Sequence, residues 1–180
     1  MKEGKNQQSS TALLTVLGIL GRFLPHPPNF TPVGGAALFG GSTLTRPLNY
    51  LLPIGVMLVT DIFLGFHATM PYVYASFLLI AWLGERFLRN ETNLSKVAAV
   101  SLTGSLLFFI ITNFGVWLQG GLYPQTLAGL VSCYMMAIPF FKLTIAGDLV
   151  YSLGFFGLYA WAQNRSFLVQ FDKKLTAWLS

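Results

Sequence analysis

Residues 97–118 form a run of 22 positions without a single charged side chain. A helix of about 20 apolar residues is long enough to cross the hydrocarbon core of a bilayer. The rest of the chain has the same bias, since 54% of its 180 residues are hydrophobic and only 9% are charged, against about 25% in ordinary soluble domains. The sequence therefore predicts an all-α, polytopic integral membrane protein.

Six apolar segments are separated by loops that contain proline, glycine or charge, and they predict six transmembrane helices. The segments lie at 11–24, 33–43, 48–66, 72–87, 97–118 and 143–162. Since the first two are too short to span a bilayer alone, flanking loop backbone covered by protein must complete each crossing. The segment 127–141 is also apolar, but nothing between it and 143 can reverse the chain. We therefore predict that it lies at the membrane surface or dips in from outside.

The basic residues predict that both termini face the cytoplasm. With six spans, nine of the eleven Lys and Arg residues are cytoplasmic, and only Arg22 and Lys142 are outside. This asymmetry follows the positive-inside rule, whereas a seventh span would move the last three basic residues outside. It also accounts for the net charge of +5, so we expect no nucleic-acid partner.

The spans predict one membrane domain, 11–163, whose outer loops are 25–32, 67–71 and 119–142. The polar cytoplasmic tail 1–10 is followed by an apolar run without an A-x-A cleavage site, which favours an uncleaved first span. Residues 164–180 predict an amphipathic cytoplasmic helix on the inner membrane surface. Its apolar face would carry Phe167, Phe171, Leu175 and Trp178.

Polar residues concentrate in the outer half of the predicted bundle. Asp61, Asn113 and Asp148 each lie five residues from the outer end of a span, about 7–8 Å below the rim. Because ionisable residues inside spans are costly, they are candidates for function. A relay for protons or ions would need polar groups through the full thickness, so this pattern favours an outward-facing pocket. The alternative is that Asp61 pairs with Arg22 and only holds helices together.

The loop at 25–32 contains four prolines, and it follows the first predicted helix directly. Proline fixes φ and has no N–H to satisfy, so such a loop can cover a pocket at a low ordering cost. It would bring His26 and Asn29 over the site; the alternative is a stiff connector. Tyr72, Tyr74 and Trp117 either belong to the interfacial aromatic belt or stack on a ring of the ligand.

The predicted site binds a small organic solute and requires no cofactor or metal. Arg22 and Lys142 suit an anionic group, whereas Asp61 and Asp148 suit hydrogen-bond donors or a cationic centre. The candidate residues are Arg22, His26, Asn29, Asp61, His67, Tyr72, Tyr74, Asn113, Trp117, Lys142 and Asp148.

Six motifs, in order over residues 20–160, resemble a family of uncharacterised bacterial proteins assigned to transport. They are RFLPHPPNFTPVGGAALFGG, TDIFLGFH, YVYASF, TNFGVW, YPQTLAGLVSCYMMAIPFF and GDLVY. The family is similar to the substrate-capture (S) components of energy-coupling factor transporters. This resemblance implies a six-helix bundle in the bacterial cytoplasmic membrane that binds a vitamin-like solute from outside. In that superfamily an ATPase pair and a coupling protein topple the S component to release the solute.

The sequence departs from the S-component pattern in its first helix, TALLTVLGILGRFL, which lacks the A-x-x-x-A pattern for docking a coupling protein. The departure favours a solitary transporter or one with other partners. Some solitary relatives handle cobalamin, and Cys133, His26 or His67 could ligate cobalt. However, a lone buried cysteine is usually an apolar filler.

Two other functional classes remain as alternatives. The superfamily is similar in fold to a rod-shape determining membrane protein that transports nothing, so a structural role in a cell-shape complex is the first. The second is an intramembrane enzyme. Neither an H-E-x-x-H metal motif nor a G-x-S-x-G elbow occurs in the chain, so we expect no catalytic activity.

Overall fold

The computed structural model describes the backbone of residues 2–89, 91 and 93–179, and the side chains of residues 8–89, 91 and 93–163. Over these residues the fold is all-helical, which confirms the predicted class. A 3-10 turn, Gly21–Phe23, follows the first helix. The helices are α1 (Lys2–Leu20), α2 (Val33–Thr43), α3 (Leu48–Leu64), α4 (Met70–Phe87), α5 (Leu94–Gln119) and α6 (Leu127–Leu179).

The ends of several helices fall where the local sequence starts or stops a helix. α5 begins after Asn93, whose side-chain oxygen accepts a hydrogen bond from the backbone N–H of Ser95 at 2.9 Å, as in a typical N-cap. Gly65 and Gly120 directly follow α3 and α5, and they have φ values of +97° and +72°. Because glycine adopts positive φ without steric cost, both positions end a helix readily.

α2 is a short central helix that is buried along nearly its whole length. Its 11 residues extend about 16 Å, and α1, α3, α4, α5 and α6 all pack around it. A Cβ placed on Gly41 would lie 2.1 Å from the carbonyl oxygen of Ala81 in α4. A Cβ on Gly84 of α4 would lie 2.2 Å from the carbonyl oxygen of Leu38. The backbones of α2 and α4 therefore touch at two points, which only glycine permits.

α6 differs from the prediction for the last third of the chain. In place of a surface segment at 127–141 and an outer loop at 119–142, one helix runs from Leu127 through the predicted span to Leu179. The first turns of α6 pack against α5: the Cys133 thiol donates to the carbonyl oxygen of Asn113 at 3.4 Å, and the Tyr134 hydroxyl donates to that of Ile110 at 2.7 Å. The connection between α5 and α6 is therefore the short loop 120–126.

Both predicted tails have helical backbone where the structure describes it. α1 begins at Lys2, within the predicted polar tail 1–10, and α6 continues over residues 164–179. The proposed amphipathic face of the C-terminal segment depends on side chains that lie outside the described residues.

Two helices in the described part of the chain are long and apolar enough to cross a membrane. They are Leu94–Gln119, which is α5, and Leu127–Gln163 of α6. The apolar helix Leu48–Leu64 is shorter. The length and composition of the two longer helices are compatible with an association with a membrane.

Candidate functional site

A cavity of about 260 Å³ lies between the proline-rich loop and helices α2 to α6. We call it the polar chamber, because charged and hydroxyl side chains form much of its wall. Its volume is close to the lower end of the range for small-molecule sites. It is lined by Arg22, Asn29, Thr31, Val33, Gly34, Met57, His67, Val73, Phe77, Phe108, Thr144 and Asp148.

A second cavity, also of about 260 Å³, adjoins the first and lies between α5, α6 and the same loop. The two cavities share Asn29, Phe108 and Thr144 as lining residues. We call the second cavity the aromatic chamber. Its remaining wall consists of Phe109, Thr112, Asn113, Val116, Ala137, Phe140 and Phe141.

Asp148 places a buried carboxylate in the wall of the polar chamber. The residue is 8% exposed, and its Oδ2 accepts a hydrogen bond from the Ser105 hydroxyl of α5 at 2.7 Å. Its Oδ1 lies against α2, 2.1 Å from where a Cβ on Gly34 would be, so only glycine leaves room for this carboxylate. Among the side chains that the structure describes, no basic nitrogen lies within 4.0 Å of Asp148. Burial therefore penalises the charged form of this carboxyl group, and no described basic side chain compensates its charge when it ionises.

Arg22 and Asp61 form an ion pair at the edge of the polar chamber. Nη1 of Arg22 lies 2.8 Å from Oδ1 of Asp61 and donates to the Thr60 hydroxyl at 2.8 Å. The Tyr74 hydroxyl donates to the other Asp61 oxygen at 2.5 Å. Asp61 is only 2% exposed, so this cluster joins the end of α1 to α3 and α4. The pairing of Asp61 with Arg22 that the sequence left open is confirmed.

Asp148 lies deeper in the bundle than the sequence predicted. Its partner Ser105 precedes Asn113 by eight residues in α5, which separates the two levels by about 12 Å. The predicted common depth of Asn113 and Asp148 is therefore wrong. The reason is that α6 begins at Leu127 rather than at 143, so Asp148 occupies its sixth turn instead of its second.

Six of the predicted site residues line neither chamber. Asp61 and Tyr74 belong to the cluster around Arg22, and the other four lie elsewhere. The ring nitrogens of His26 lie 3.0 and 3.2 Å from carbonyl oxygens of its own loop region. The Tyr72 ring packs on the backbone of α5 at Gly115. Trp117 donates its indole N–H to a carbonyl oxygen of the loop 120–126 at 3.0 Å. Lys142 is exposed on α6.

The predicted residues that do line the chambers are Arg22, Asn29, His67, Asn113 and Asp148. Within the described part of the chain, no three His, Cys, Asp or Glu side chains form a group that could hold a metal ion.

The sequence reasoning missed the hydroxyl residues of the site. Thr144 lines both chambers, and it precedes Asp148 by four residues, a spacing that places both on one face of a helix. The spacing could therefore have identified Thr144 as a site residue from the sequence. Ser105 and Thr60 gave no such signal. Only the packing of α5 against α6, and of the turn Gly21–Phe23 against α3, shows that they contact charged groups.

Asn29 provides a test of the loop that covers both chambers. Its φ is +63°, a conformation that asparagine and glycine tolerate and β-branched residues do not. We expect Asn29→Gly to keep the stability of the wild type and Asn29→Val to lose about 1–2 kcal/mol, measured by thermal unfolding in detergent. Equal stabilities of the two variants would contradict the left-handed conformation of the loop.

Comparison with known proteins identifies a family. Over residues 2–173 the chain matches the model of a family that is described as a family of unknown function (DUF6580). The match includes every residue of the two chambers. No curated protein and no solved structure matches the chain.

Proposed function

This chain belongs to the DUF6580 family, and we propose that it is a membrane transport protein that captures a small organic solute in the two chambers. In this proposal six helices cross the bacterial cytoplasmic membrane, both termini face the cytoplasm, and the chambers open to the outside. The observation that carries the proposal is the uncompensated Asp148 carboxylate beside an accessible cavity. The protein acts as a solitary transporter or as the capture subunit of an ATPase-driven one.

The distribution of side chains supports a location of the bundle in the membrane. Large apolar residues are exposed to the surroundings, among them Phe63 at 76% and Met136 at 64%. Asp61 and Asp148 are instead buried, together with ten hydroxyl or amide residues. Water disfavours large exposed apolar patches, whereas the hydrocarbon of a bilayer accepts them and disfavours exposed charge.

Ion pairs at the other end of the bundle support the proposed orientation. Glu85, near the end of α4, lies 2.7 Å from Arg46 and 3.5 Å from Arg89. The hydrogen bond and the charge of Glu85 raise the pKa of Arg46 above its ordinary value. Glu85 follows the chamber residue Val73 by 12 positions, or about 18 Å along α4. Basic residues near helix ends favour the cytoplasmic side.

The state of Asp148 explains why the chambers would take up a solute. A buried carboxylate that has a single hydrogen-bond donor is costly, because the lost hydration is not replaced. A solute that donates hydrogen bonds or carries positive charge would supply what is missing. The loop covers this site. The Phe30 ring lies 5.7 Å from the Tyr151 ring, and a Cβ placed on Gly147 would lie 3.2 Å from the Cα of Phe30.

Native mass spectrometry of the gently purified full-length protein tests the proposal. We expect a stoichiometric small molecule with the wild type and its loss in Asp148→Asn. Because asparagine keeps the shape of the side chain and cannot ionise, this variant should be at least as stable as the ligand-free wild type. Glu85→Gln serves as the control at the opposite end and should retain the molecule.

Only lipids, recovered from several expression hosts, would contradict capture of a solute. The chambers would then be packing features, and a structural role in a membrane complex would replace the transport proposal. In that case we expect substitutions at the charged end near Glu85 to disturb complex formation, while chamber substitutions leave it unchanged.

A further inference from the structure

We infer that the captured solute is an organic cation that carries an aromatic ring, with its cationic group at Asp148 and its ring in the aromatic chamber. The inference rests on the proposed capture function and specifies its substrate class. It differs from the expectation that Arg22 and Lys142 select an anion. Three features lead to this inference: the charges around the polar chamber, the aromatic wall of the neighbouring chamber and the spacing of residues on α6.

The charges of the polar chamber leave one negative group to be balanced. Arg22 lines the chamber, but its positive charge is already offset by Asp61 at 2.8 Å. His67 is an exposed rim residue whose Nδ1 lies 2.8 Å from the hydroxyl of Thr69. Asp148 has the Ser105 hydroxyl as its hydrogen-bond partner. The ionised form of Asp148 therefore has no positive partner among the described side chains of the chamber, and a bound cation would supply one.

This charge balance discriminates between classes of solute. An anion in the chamber would be repelled by Asp148, and the repulsion is strong where water is excluded. A neutral solute could form a hydrogen bond with the carboxyl group, but only a cation would stabilise its ionised form. Lys142, the other residue expected to bind an anion, is exposed and lines neither chamber. A cation satisfies Asp148 in both respects.

The aromatic chamber offers a flat apolar surface beside the polar one. Phe109 of α5 and Phe141 of α6 stack with ring centroids 4.4 Å apart and an interplanar angle of 27°. Phe108 and Phe140 add two further rings to the wall. Aromatic rings attract another ring at centroid distances of about 4.5–7 Å. The chamber therefore favours an aromatic group over a branched aliphatic one.

The spacing of residues on α6 connects the two binding regions. Phe141, Thr144 and Asp148 are separated by three and four positions, so they lie on one face of the helix. Phe141 and Asp148 are about 10 Å apart along the axis, and Thr144 lines both chambers between them. A solute whose cationic group and ring are joined by a short linker can occupy both regions at once.

Four small molecules test the inference on the full-length protein in detergent. The first, 4-phenylbutylammonium, has both the cationic group and the aromatic ring. Of the others, 4-phenyl-1-butanol is neutral, 5-phenylvalerate carries a negative charge, and butylammonium has the positive charge but no ring. The readout is the shift in the thermal unfolding midpoint with ligand concentration. We expect 4-phenylbutylammonium to give the largest shift, butylammonium a smaller one, and the neutral and anionic compounds no specific shift.

Two substitutions separate the contributions of charge and ring. In Asp148→Asn, 4-phenylbutylammonium should bind at least tenfold more weakly, whereas Glu85→Gln should bind it as the wild type does. Phe141→Leu should weaken 4-phenylbutylammonium but leave butylammonium unchanged. Because the four compounds are also compared on the wild type, the test does not depend on the folding of any variant.

Several outcomes would overturn the inference. They are an equal or larger shift with 5-phenylvalerate or 4-phenyl-1-butanol, an undiminished shift in Asp148→Asn, or no shift with 4-phenylbutylammonium. Native mass spectrometry separates this failure from that of the proposed function. A co-purified neutral or anionic solute would keep the capture function and reject the cation, whereas lipids alone would reject both.

Discussion

Replacing Gly41 with alanine is expected to destabilise the protein by about 3 kcal/mol, whereas the same change at Gly154 should stabilise it by about 0.5–1 kcal/mol. A Cβ on Gly41 would lie 2.1 Å from the carbonyl oxygen of Ala81 and 2.7 Å from its Cα. These are backbone atoms of α4, so no side-chain rotation can relieve the overlap. Gly154 lies in α6 with nothing within 4 Å of its Cβ position, so alanine there only improves helix propensity.

The comparison should be made by equilibrium unfolding of the purified variants in one detergent. Gly84→Ala, on the α4 side of the same crossing, should behave as Gly41→Ala does, because its Cβ would overlap the backbone of Leu38. If all three alanine variants were equally stable, α2 would not lie against α4. The central position of α2 in the fold would then be contradicted.

The sequence predicted the shorter helices well because their ends are encoded locally. α2 has its predicted bounds, 33–43, since Pro32 precedes it and its small residues suit a close-packed interior. The continuity of α6 is different. The sequence predicted 127–141 as a segment separate from the span at 143–162, because a seventh span would have placed the last basic residues outside. The structure joins the two segments in one helix, and the contacts of Cys133 and Tyr134 with α5 hold its first turns in the bundle.

The candidate site was predicted in part, and the errors at Lys142 and Asp148 have a common origin. With α6 as one helix, Lys142 and Asp148 are six residues apart, so they point about 120° away from each other around the axis. Lys142 therefore lies outside the chambers, while Phe141 shares the face of Asp148. The Arg22–Asp61 pair could be foreseen from opposite charges near adjoining helix ends. The Asp148–Ser105 contact could not, because it depends on the register between α5 and α6.

Removing the carboxylate in Asp61→Ala is expected to lower the free energy of unfolding by about 3–5 kcal/mol. The change would leave Arg22, whose side chain is 19% exposed, without its partner, and the Tyr74 hydroxyl without its acceptor. Arg22→Met should be similarly destabilising. The double variant should lose less than the sum of the single losses, with a coupling energy of about 1–3 kcal/mol. Equilibrium unfolding of the four proteins measures this cycle.

The exposed pair of Arg46 and Glu85 is the control for this cycle. The Arg46 side chain is 69% exposed, so the same cycle there should give a coupling energy below about 1 kcal/mol. Additive losses for Arg22 and Asp61 would contradict a structural ion pair and leave Arg22 free to bind an anion. Strong coupling, together with an Asp148→Asn variant that is stable but binds no cation, would assign the two buried carboxylates different roles. Asp61 would then hold α1, α3 and α4 together, and Asp148 would be the charge that the solute must balance.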